Sequence, residues 1–450
     1  MDPTEVALRK AVRLRPLSLE AHAALIDHLT RRNRPDAVVA AYRELVRRLP
    51  DLAVAHYNLG VILKDLQCHA EAEAAYREAL RVRPDYVEAH ANLGVLLMGL
   101  GRFEEAEAAL RQAPDLPEAN LNLAQLLLRD GRFAEGWRRF EFRYHPRLTG
   151  RTVIPPALPY PPWRGEDLAG KSLCVLWEQG FGDAIQFCRY LPLLSARGAA
   201  RITFLCDHQL VSLLATGLHG VANLALAWDL AAIPRHDYWV FLLSIPSLMG
   251  TEAASIPASL PYLSLSLERL ALWRAALPSG AGLRVGLAWK GRSDHVNDAN
   301  RSLPGLAVLA SLWDVAGVTW ISLQKGAGAQ EAQSPPPDQP LVDLGAQVRD
   351  FADTAAVLVQ LDLLITVDTA VAHLCGALGK PCWVVLPCVG TDWRWLAERA
   401  DSPWYPGVMR LFRQRQPGDW TCVVEEVRNA LLEFARTATL PPCGQEITAR

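Results

Sequence analysis

Hydrophobic and polar residues follow two different patterns along the chain. The first third carries the apolar stripes of paired amphipathic helices, whereas from Lys171 onward short apolar runs of strand length alternate with helix-length segments. Predicted strands are residues 172–177, 201–206, 224–226, 238–243, 284–289, 318–323, 341–343, 363–366 and 382–386. Predicted helices include residues 267–276, 306–313, 353–360 and 370–377, with others ending near 196 and 218. Strands that alternate with helices predict parallel, doubly wound sheets, which bind ligands at the carboxyl ends of their strands.

The first third also repeats itself every 34 residues. Three residue types recur at this spacing: His22, His56 and His90; Pro16, Pro50 and Pro84; Arg43, Arg77 and Arg111. The period resembles that of the tetratricopeptide repeat (TPR), whose helix pairs stack into a superhelix that binds proteins. We interpret the histidines as packing positions rather than metal ligands, and Gly60 and Gly94 as points where paired helices approach closely. The repeats either recruit a partner or only support the domain that follows.

Composition shifts mark the domain boundaries. Five prolines between residues 155 and 162 predict a stiff extended connector, and a stretch with two glycines at 278–283 separates two α/β series of similar length. The predicted domains are a TPR α-superhelix at 1–145, a proline-rich linker at 146–167, Rossmann-like domains at 168–278 and 279–436, and a tail at 437–450. The predicted fold is thus an α superhelix followed by two α/β domains that face a cleft.

Composition and charge exclude several classes of protein. Lys and Arg number 46 against 48 Asp and Glu, so the net charge of −2 provides no field that would attract nucleic acid or an anionic membrane. No apolar run approaches the roughly 18 residues of a membrane span, and charges interrupt the start of the chain, where a signal peptide would be apolar. The nine cysteines include Cys443 and contain no CxxC pair, which argues against a disulfide framework or a zinc site. We expect a cytoplasmic protein.

Candidate chemistry lies in loops that follow predicted strands. Gly180 and Gly182 allow a tight turn after the first strand and place Asp183 near the start of a helix. Asp183 is therefore either a catalytic carboxylate or only a helix cap. Lys290 and Arg301 follow the first strand of the second series, where they suit a diphosphate but are also compatible with an ordinary solvated loop.

The segment 366–374 combines several features of an anion site. A strand stops at Asp368 and a helix of small residues follows, so the backbone amides from Thr369 and Ala370 onward would face an anion at the helix N-terminus. His373 lies one turn into that helix and could reach the same anion, while Asp368 could accept a hydrogen bond from a ribose hydroxyl. In a purely structural interpretation, Asp368 caps the helix and His373 packs at the edge of the core.

Taken in order, these motifs resemble those of the heptosyltransferase-type GT-B glycosyltransferases, which form glycosyltransferase family 9. The motifs are GFGDxIQF at 180–187, GLAWKG at 286–291 with a nearby NRS, SLQKG at 322–326 and VDTAVAHLxGALGKP at 367–381. The arrangement of TPRs followed by such domains resembles bacterial fusion proteins and, more distantly, the architecture of O-linked N-acetylglucosamine transferase. The resemblance covers residues 168–435.

The resemblance implies inverting transfer of a sugar from a nucleotide diphosphate sugar, with no obligatory metal and no other cofactor. It makes Asp183 the general base and Lys290 a ligand of the donor phosphates. The family's donor loop matches Asp368, Thr369, Ala370 and His373, with Ala370 in place of a family glycine. The segment 401–413 also resembles the fusion proteins, but no role is predicted for it.

Three hypotheses stay open. The first is a glycosyltransferase whose TPRs recruit a protein or glycan acceptor. The second is a binding module in which the α/β part has lost turnover. The third is a different nucleotide-sugar enzyme on the same scaffold, such as an epimerase, which would have no use for TPRs that recruit an acceptor. The joint presence of Asp183, Lys290 and His373 favours the first hypothesis over the second.

Overall fold

The computed structural model describes residues 2–150, 153–227, 230, 233–279, 282–336 and 338–438. The chain divides into two units, of which one comprises Met1–Leu126 and Arg138–Thr152 and the other Leu127–Trp137 and Val153–Arg450. This division differs from the predicted TPR domain of residues 1–145, because the segment Leu127–Trp137 belongs to the second unit. Most of the predicted tail, including Cys443, lies outside the described residues. Within the described ranges, no helix is both long and apolar enough to cross a lipid bilayer.

The N-terminal part of the chain consists of short helices joined by tight turns. They are α1 (Pro3–Leu14), α2 (Leu19–Arg31), α3 (Pro35–Arg48), α4 (Ala53–Asp65), α5 (His69–Val82), α6 (Val87–Gly99), α7 (Phe103–Arg111), α8 (Pro117–Arg129) and α9 (Phe133–Phe140). Close pairing within a repeat depends on glycine: a Cβ on Gly60 would lie 2.7 Å from the Tyr76 ring, and one on Gly94 would lie 2.6 Å from Leu110 Cγ. Both glycines therefore stand where the sequence predicted close approach.

The repeated histidines hold successive turns of the array. Nε2 of His22, His56 and His90 lies 3.0, 2.8 and 2.8 Å from the carbonyl oxygen of the proline six residues earlier. In the last, shortened repeat, Asn120 takes this position and donates from Nδ2 to Pro114 O at 2.6 Å. The histidines are thus bonded packing residues, and the 34-residue period reflects a repeated link between a helix and the turn before it.

The second unit contains two parallel sheets, of which the first has four strands. Its strands are β1 (Ser172–Leu176), β2 (Arg201–Cys206), β3 (Asn223–Leu226) and β4 (Tyr238–Phe241), in the order β3-β2-β1-β4. The accompanying helices are α10 (Phe181–Phe187), α11 (Leu191–Ala196), α12 (His208–Gly217) and α13 (Ile245–Leu248). The proline-rich segment runs along the outer edge of this sheet, where Trp163 N donates to Trp239 O at 2.7 Å and Trp239 N donates to Pro161 O at 3.1 Å. The predicted connector therefore covers the edge strand β4.

A second, six-stranded parallel sheet follows. Its elements are α14 (Leu267–Ala276), β5 (Leu283–Ala288), α15 (Asp298–Arg301), β6 (Val318–Ser322), α16 (Ala329–Gln333), β7 (Val342–Asp343), α17 (Phe351–Leu358), β8 (Leu363–Val367), α18 (Ala370–Ala377), β9 (Cys382–Leu386), β10 (Met409–Arg413) and α19 (Trp420–Ala438). The predicted α-helix 306–313 is instead a 3₁₀ helix, Leu306–Asp314. Its leucine face packs into the core together with residues of α19. Each predicted strand is present, with ends that differ by two residues or fewer, whereas β10 and α19 were not predicted.

The strand order locates a ligand-binding edge. The strand order of the second sheet is β10-β9-β8-β5-β6-β7. If β5 is taken as the first strand and β10 as the sixth, this is the strand order of a doubly wound dinucleotide-binding sheet. The strand order reverses at the neighbouring parallel strands β5 and β8, and in sheets of this kind such a switch point places a crevice at the carboxyl ends of the strands. In the first sheet the corresponding neighbours are β1 and β4. The predicted site residues all follow β1, β5 or β8, so the topology brings them to these crevices.

Candidate functional site

The turn after β1 is built by a buried glutamate and two glycines. Glu178 Oε1 accepts a hydrogen bond from Leu243 N at 3.0 Å, which ties the end of β1 to the end of β4. Gln179 has a left-handed backbone with φ of 62°, and Gly180 then begins α10. Gly180 N donates to Asp183 Oδ2 at 2.7 Å. The N-cap residue of α10 is thus Gly180 and not Asp183, and Asp183 caps the helix from its third residue by accepting the Gly180 amide.

Asp183 also makes an ion pair that the sequence did not reveal. Its Oδ1 accepts from Nη2 of Arg394, and Nη1 of Arg394 lies 3.0 Å from both carboxylate oxygens of Asp392. The Arg394 side chain is only 8% exposed, so its charge is neutralised almost entirely by these two carboxylates. Burial raises the pKa of Asp183 above its ordinary value, although Arg394 opposes the rise. Burial also pushes up the pKa of Asp392, but Arg394 outweighs it and holds that pKa below its ordinary value.

The N-terminus of α18 offers free backbone donors. Thr369 precedes the helix, and its side chain makes no capping hydrogen bond. In the described part of the chain, Ala372 N donates to Thr369 O at 3.0 Å, whereas the amides of Ala370 and Val371 are left as available donors. Arg301 lies beside this turn and donates from Nη1 to Asp368 O at 3.2 Å. A Cβ on Gly291 would lie 2.5 Å from Nη2 of Arg301, so glycine at 291 makes room for the guanidinium. Arg301 thus joins the loop after β5 to the loop after β8.

Asp368 is buried near the carboxylate of Asp392 and the guanidinium groups of Arg301 and Arg394. Burial, together with the nearby negative charge of Asp392, raises the pKa of Asp368 to about 6. The carboxyl is therefore poised to change charge near neutral pH. A group of this kind at a switch point accepts hydrogen bonds when ionised and donates one when protonated.

Lys290 is held at the same edge of the sheet by a glutamine. The backbone amides of Trp289 and Lys290 donate to Oε1 of the buried Gln324 at 2.8 and 2.9 Å. The side chain of Lys290 points to Glu331, with Nζ 3.2 Å from Oε1. The structure thus places Lys290 at the predicted edge but gives its ammonium a carboxylate partner.

His373 is a buried residue near the start of α18. Its ring stacks on Trp395 at a centroid distance of 5.1 Å, and its Nδ1 lies 2.9 Å from the hydroxyl of Tyr405. Burial lowers the pKa of His373 to about 3, and the charge of Arg394 acts in the same direction. The imidazole is therefore neutral at physiological pH.

Helices α10 and α18 touch across the two α/β halves. A Cβ on Gly182 would lie 2.8 Å from His373 Cδ2 and 3.5 Å from Ala370 Cα. The sequence predicted Asp183 and the donor loop on opposite walls of a cleft, whereas here the two helix N-termini are in contact. The structure therefore brings together Gly180, Gly182, Asp183, Ala370 and His373, and it joins Arg301 to Asp368.

Sequence reasoning missed four residues of this site: Asp392, Arg394, Trp395 and Tyr405. The first three belong to the segment Asp-Trp-Arg-Trp, which follows the end of β9 and so lies at the same edge as the other loops. An aspartate and an arginine that alternate with two tryptophans after a buried strand are a sequence signal that could have indicated a buried ionic site. Tyr405 lies in the segment 401–413, and its position against His373 gives that segment a structural role.

Comparison with known proteins identifies the repeats. The tetratricopeptide repeat model matches residues 69–116. Protein FlbA of Caulobacter vibrioides is 31% identical over 329 residues, which cover 67% of this chain and 53% of that protein. This chain therefore spans about half the length of the curated relative it matches.

Several solved structures match part of the chain. MamA (19% identity, TM-score 0.29) covers 31% of this chain and 83% of its own. YrrB, described as a TPR protein with an unusual peptide-binding site, has 21% identity and a TM-score of 0.28 over 30% of this chain and 72% of its own. PilF of Pseudomonas aeruginosa has 24% identity and a TM-score of 0.28 over 31% of this chain and 65% of its own. The chain thus contains tetratricopeptide repeats and, after them, a parallel-sheet α/β region.

Proposed function

We propose that this protein is a glycosyltransferase that moves a sugar from a nucleotide diphosphate sugar to a protein or glycan acceptor. One observation carries the proposal: the loops after β5 and β8 bring Lys290, Arg301 and the uncapped N-terminus of α18 to one edge of the second sheet. Sheets of this strand order bind nucleotides at that edge. The chemistry of the proposal comes from the family resemblance of residues 168–435.

The donor diphosphate would lie against the N-terminus of α18. The amides of Ala370 and Val371 are available donors there, and the helix dipole favours an anion. Arg301, which already contacts Asp368 O, would supply a fixed positive charge. Lys290 would exchange Glu331 for a phosphate oxygen, which is a small movement for a flexible side chain. These groups would stabilise the negative charge of the departing diphosphate.

Asp183 is the proposed general base. Inverting transfer requires a group that removes the proton of the acceptor hydroxyl, and a raised carboxyl pKa strengthens such a base. Each carboxylate oxygen of Asp183 already accepts one hydrogen bond, but an oxygen has two lone pairs and can accept a second. The proposal therefore requires the acceptor to approach between α10 and α18, where the two helices are now in contact.

The TPRs would recruit the acceptor, because stacked repeats present an extended surface that binds other proteins. A cytoplasmic location is also part of the proposal. The eight cysteines of the described residues are free thiols, five of them buried, which suits a reducing compartment.

A thermal-shift panel of nucleoside diphosphates and their sugars tests the donor site on the full chain. A ligand that binds only the folded state raises the unfolding midpoint.

The Lys290→Ala variant should lose about 1.5–3 kcal/mol of binding free energy for the stabilising nucleotide, because it loses a charged hydrogen bond. Arg292→Ala is the matched control, since Arg292 is an exposed cation of the same loop that pairs with Asp294 in its own turn. Equal affinity in wild type and Lys290→Ala would contradict the assigned site.

A binding module without turnover is the second candidate. It is favoured by the double engagement of Asp183, which caps α10 and neutralises Arg394 as an ordinary structural aspartate would. The two candidates differ in one measurable respect: both bind nucleotide, but only an enzyme releases the nucleoside diphosphate from its sugar.

A further inference from the structure

The guanidinium of Arg394 is held in place by its own segment of the chain. Asp392 caps the short 3₁₀ turn that follows β9 and accepts a hydrogen bond from the backbone N of Arg394 at 2.9 Å. Both oxygens of the same carboxylate lie 3.0 Å from Nη1 of Arg394. The ring centroids of Trp393 and Phe187 lie 4.3 and 5.6 Å from Cζ of Arg394. These contacts fix the side chain so that its Nη2 meets Asp183.

Asp183 receives one neutral and one charged donor, from two different parts of the chain. Gly180 N, at the start of its own helix, donates to Oδ2 at 2.7 Å, whereas Nη2 of Arg394 donates to Oδ1. The Asp183 side chain is only 14% exposed. A carboxyl so far removed from water takes up a proton unless a nearby positive charge favours its ionised form. Arg394 supplies that positive charge.

The titratable groups that face this ion pair come from four places: Glu178 before α10, Asp368 before α18, His373 within α18, and Asp392 after β9. Burial raises the pKa of Asp183, and the negative charges of Asp392 and Glu178 add to the rise. The positive charge of Arg394 is the main influence in the other direction, followed by the hydrogen bond from Gly180 N. His373 contributes no positive charge, because burial lowers its pKa to about 3.

We propose that Arg394 is a positioning residue for the reaction, which keeps the Asp183 carboxylate ionised and oriented so that it can accept a proton from the acceptor. This inference rests on the proposed function, in which Asp183 is the general base. Asp183 belongs to α10 of the first α/β half, whereas Arg394 follows β9 of the second half. The base is therefore competent only while the loop after β9 is docked against α10, so both halves are needed to form it.

Asp392 has two opposing effects on this arrangement. It fixes Arg394 through the backbone N and Nη1, but it also competes with Asp183 for the single positive charge. Asparagine at 392 retains an oxygen that can cap the turn, and it removes the competing negative charge. Asp392→Asn should therefore make the ionised form of Asp183 more favourable, whereas loss of the Arg394 charge should make it less favourable. Opposite effects of two neighbouring substitutions are not expected from general damage to the fold.

Carbon-13 spectroscopy of the full chain measures the ionisation of Asp183 without any substrate. The protein is labelled at Cγ of aspartate, and the Asp183 signal is assigned as the one lost in Asp183→Asn. Wild type should show an ionised Asp183 at pH 7. The titration midpoint should rise by about 1–3 pH units in Arg394→Gln and should fall in Asp392→Asn. Arg399→Gln is the matched control and should leave the midpoint unchanged, because Arg399 also pairs with an aspartate two residues away, Asp401, but at the surface.

Two spectroscopic results would overturn the role of Arg394. One is a protonated Asp183 in wild type at pH 7, and the other is an equal midpoint in wild type and folded Arg394→Gln. If loss of the buried pair prevents Arg394→Gln from folding, Asp392→Asn decides, and a midpoint that is not lower than that of wild type would overturn the proposal.

The pH dependence of turnover then shows whether this ionisation matters for the reaction. Release of nucleoside diphosphate is measured with sugars of uridine, guanosine and adenosine diphosphate, in samples that circular dichroism shows to be folded. At pH 7 the kcat/KM of Arg394→Gln should be roughly 10-fold or more below that of wild type, because a midpoint one unit above the assay pH leaves about a tenth of Asp183 ionised. The deficit should shrink as the pH rises, and Asp392→Asn should stay active to lower pH than wild type does.

A deficit of Arg394→Gln that is equal at all pH values, as damage to the fold would produce, would overturn the positioning role. The absence of release from every donor by folded wild type would instead contradict the proposed function. In that case the carbon-13 titrations alone decide whether Arg394 controls the charge of Asp183.

Discussion

Replacing Arg394 with methionine removes the single cation that Asp183 and Asp392 share. Methionine retains much of the length and volume of arginine, so the change tests charge more than packing. The variant leaves two buried carboxylates without a counter-charge, and breaking a buried ion pair in this way costs about 3–5 kcal/mol. We therefore expect the second unit to lose about that much unfolding free energy at pH 7.

The same loss should depend on pH in a defined direction. In the folded protein the pKa of Asp183 is already raised, and without Arg394 it rises further. A carboxyl whose folded pKa exceeds its unfolded pKa destabilises the fold at high pH, and the penalty disappears as the pH falls through the folded value. The wild-type contribution of Asp392, whose pKa is lowered, is present above the unfolded pKa and is lost in acid. The difference between wild type and Arg394→Met should therefore shrink as the pH falls from 7 toward about 4.

Urea denaturation monitored by tryptophan fluorescence measures the difference, because Trp393, Trp395 and Trp404 are buried close to the ion pair. Arg292→Met is the control and should change stability by no more than about 0.5 kcal/mol, since Arg292 and Asp294 are both well exposed. Adding Asp183→Asn to Arg394→Met should restore part of the loss by removing one uncompensated charge. A loss below about 1 kcal/mol at pH 7, or one that grows in acid, would refute this explanation of the ion pair.

Three further predictions concern packing and domain structure. Gly182→Ala places a Cβ 2.8 Å from an atom of the opposing histidine ring, so it should lower the unfolding midpoint and separate α10 from α18, as hydrogen exchange of those helices would show. A chain without residues 1–126 should remain soluble and folded by circular dichroism, whereas one without residues 1–145 also loses Trp137, which packs within the second unit, and should be less stable. His56→Ala should lower the stability of the repeat array by about 1 kcal/mol in thermal or urea unfolding, because a turn carbonyl loses its partner.

The sequence predicted those parts of the fold that depend on local pattern. Strand β9 and helix α18 begin and end where predicted. Buried parallel strands such as β9 are continuous apolar runs, and Asp368-Thr369 ends the apolar run of β8 just before α18. Strand β10 was missed because it lies at the edge of the sheet and its sequence, Met-Arg-Leu-Phe-Arg, contains two arginines that break the apolar run. The loops after β5 and β8 were predicted as a site because parallel topology brings their ends together whatever the side chains do.

The contacts that control the site could not be predicted in the same way. Asp183 and Arg394 are 211 residues apart, and no periodicity links an aspartate at a helix start to an arginine after the fifth strand of another sheet. The touching of α10 and α18 depends on Gly182 facing a ring, which is a property of how the two halves pack. The motif GFGD indicated a tight turn, but only the packed structure shows that the second glycine accommodates His373.

Release of a nucleoside diphosphate from its sugar distinguishes a glycosyltransferase from a binding module without turnover. Purified full-length protein is incubated with a panel of nucleotide diphosphate sugars, and the free nucleoside diphosphate is quantified by chromatography for wild type and Asp183→Asn. Asparagine has one amide oxygen, so it can accept the Gly180 or the Arg394 hydrogen bond but not both, because its amide nitrogen only donates. Circular dichroism and nucleotide binding therefore check that the variant is folded before its rate is compared. Wild type should release nucleoside diphosphate from at least one donor, and Asp183→Asn should do so at a rate about 100-fold or more lower. Release at equal rates by the two proteins would remove Asp183 from the mechanism, and no release from any donor by folded wild type, with acceptor proteins from a cell extract present, would contradict the glycosyltransferase itself.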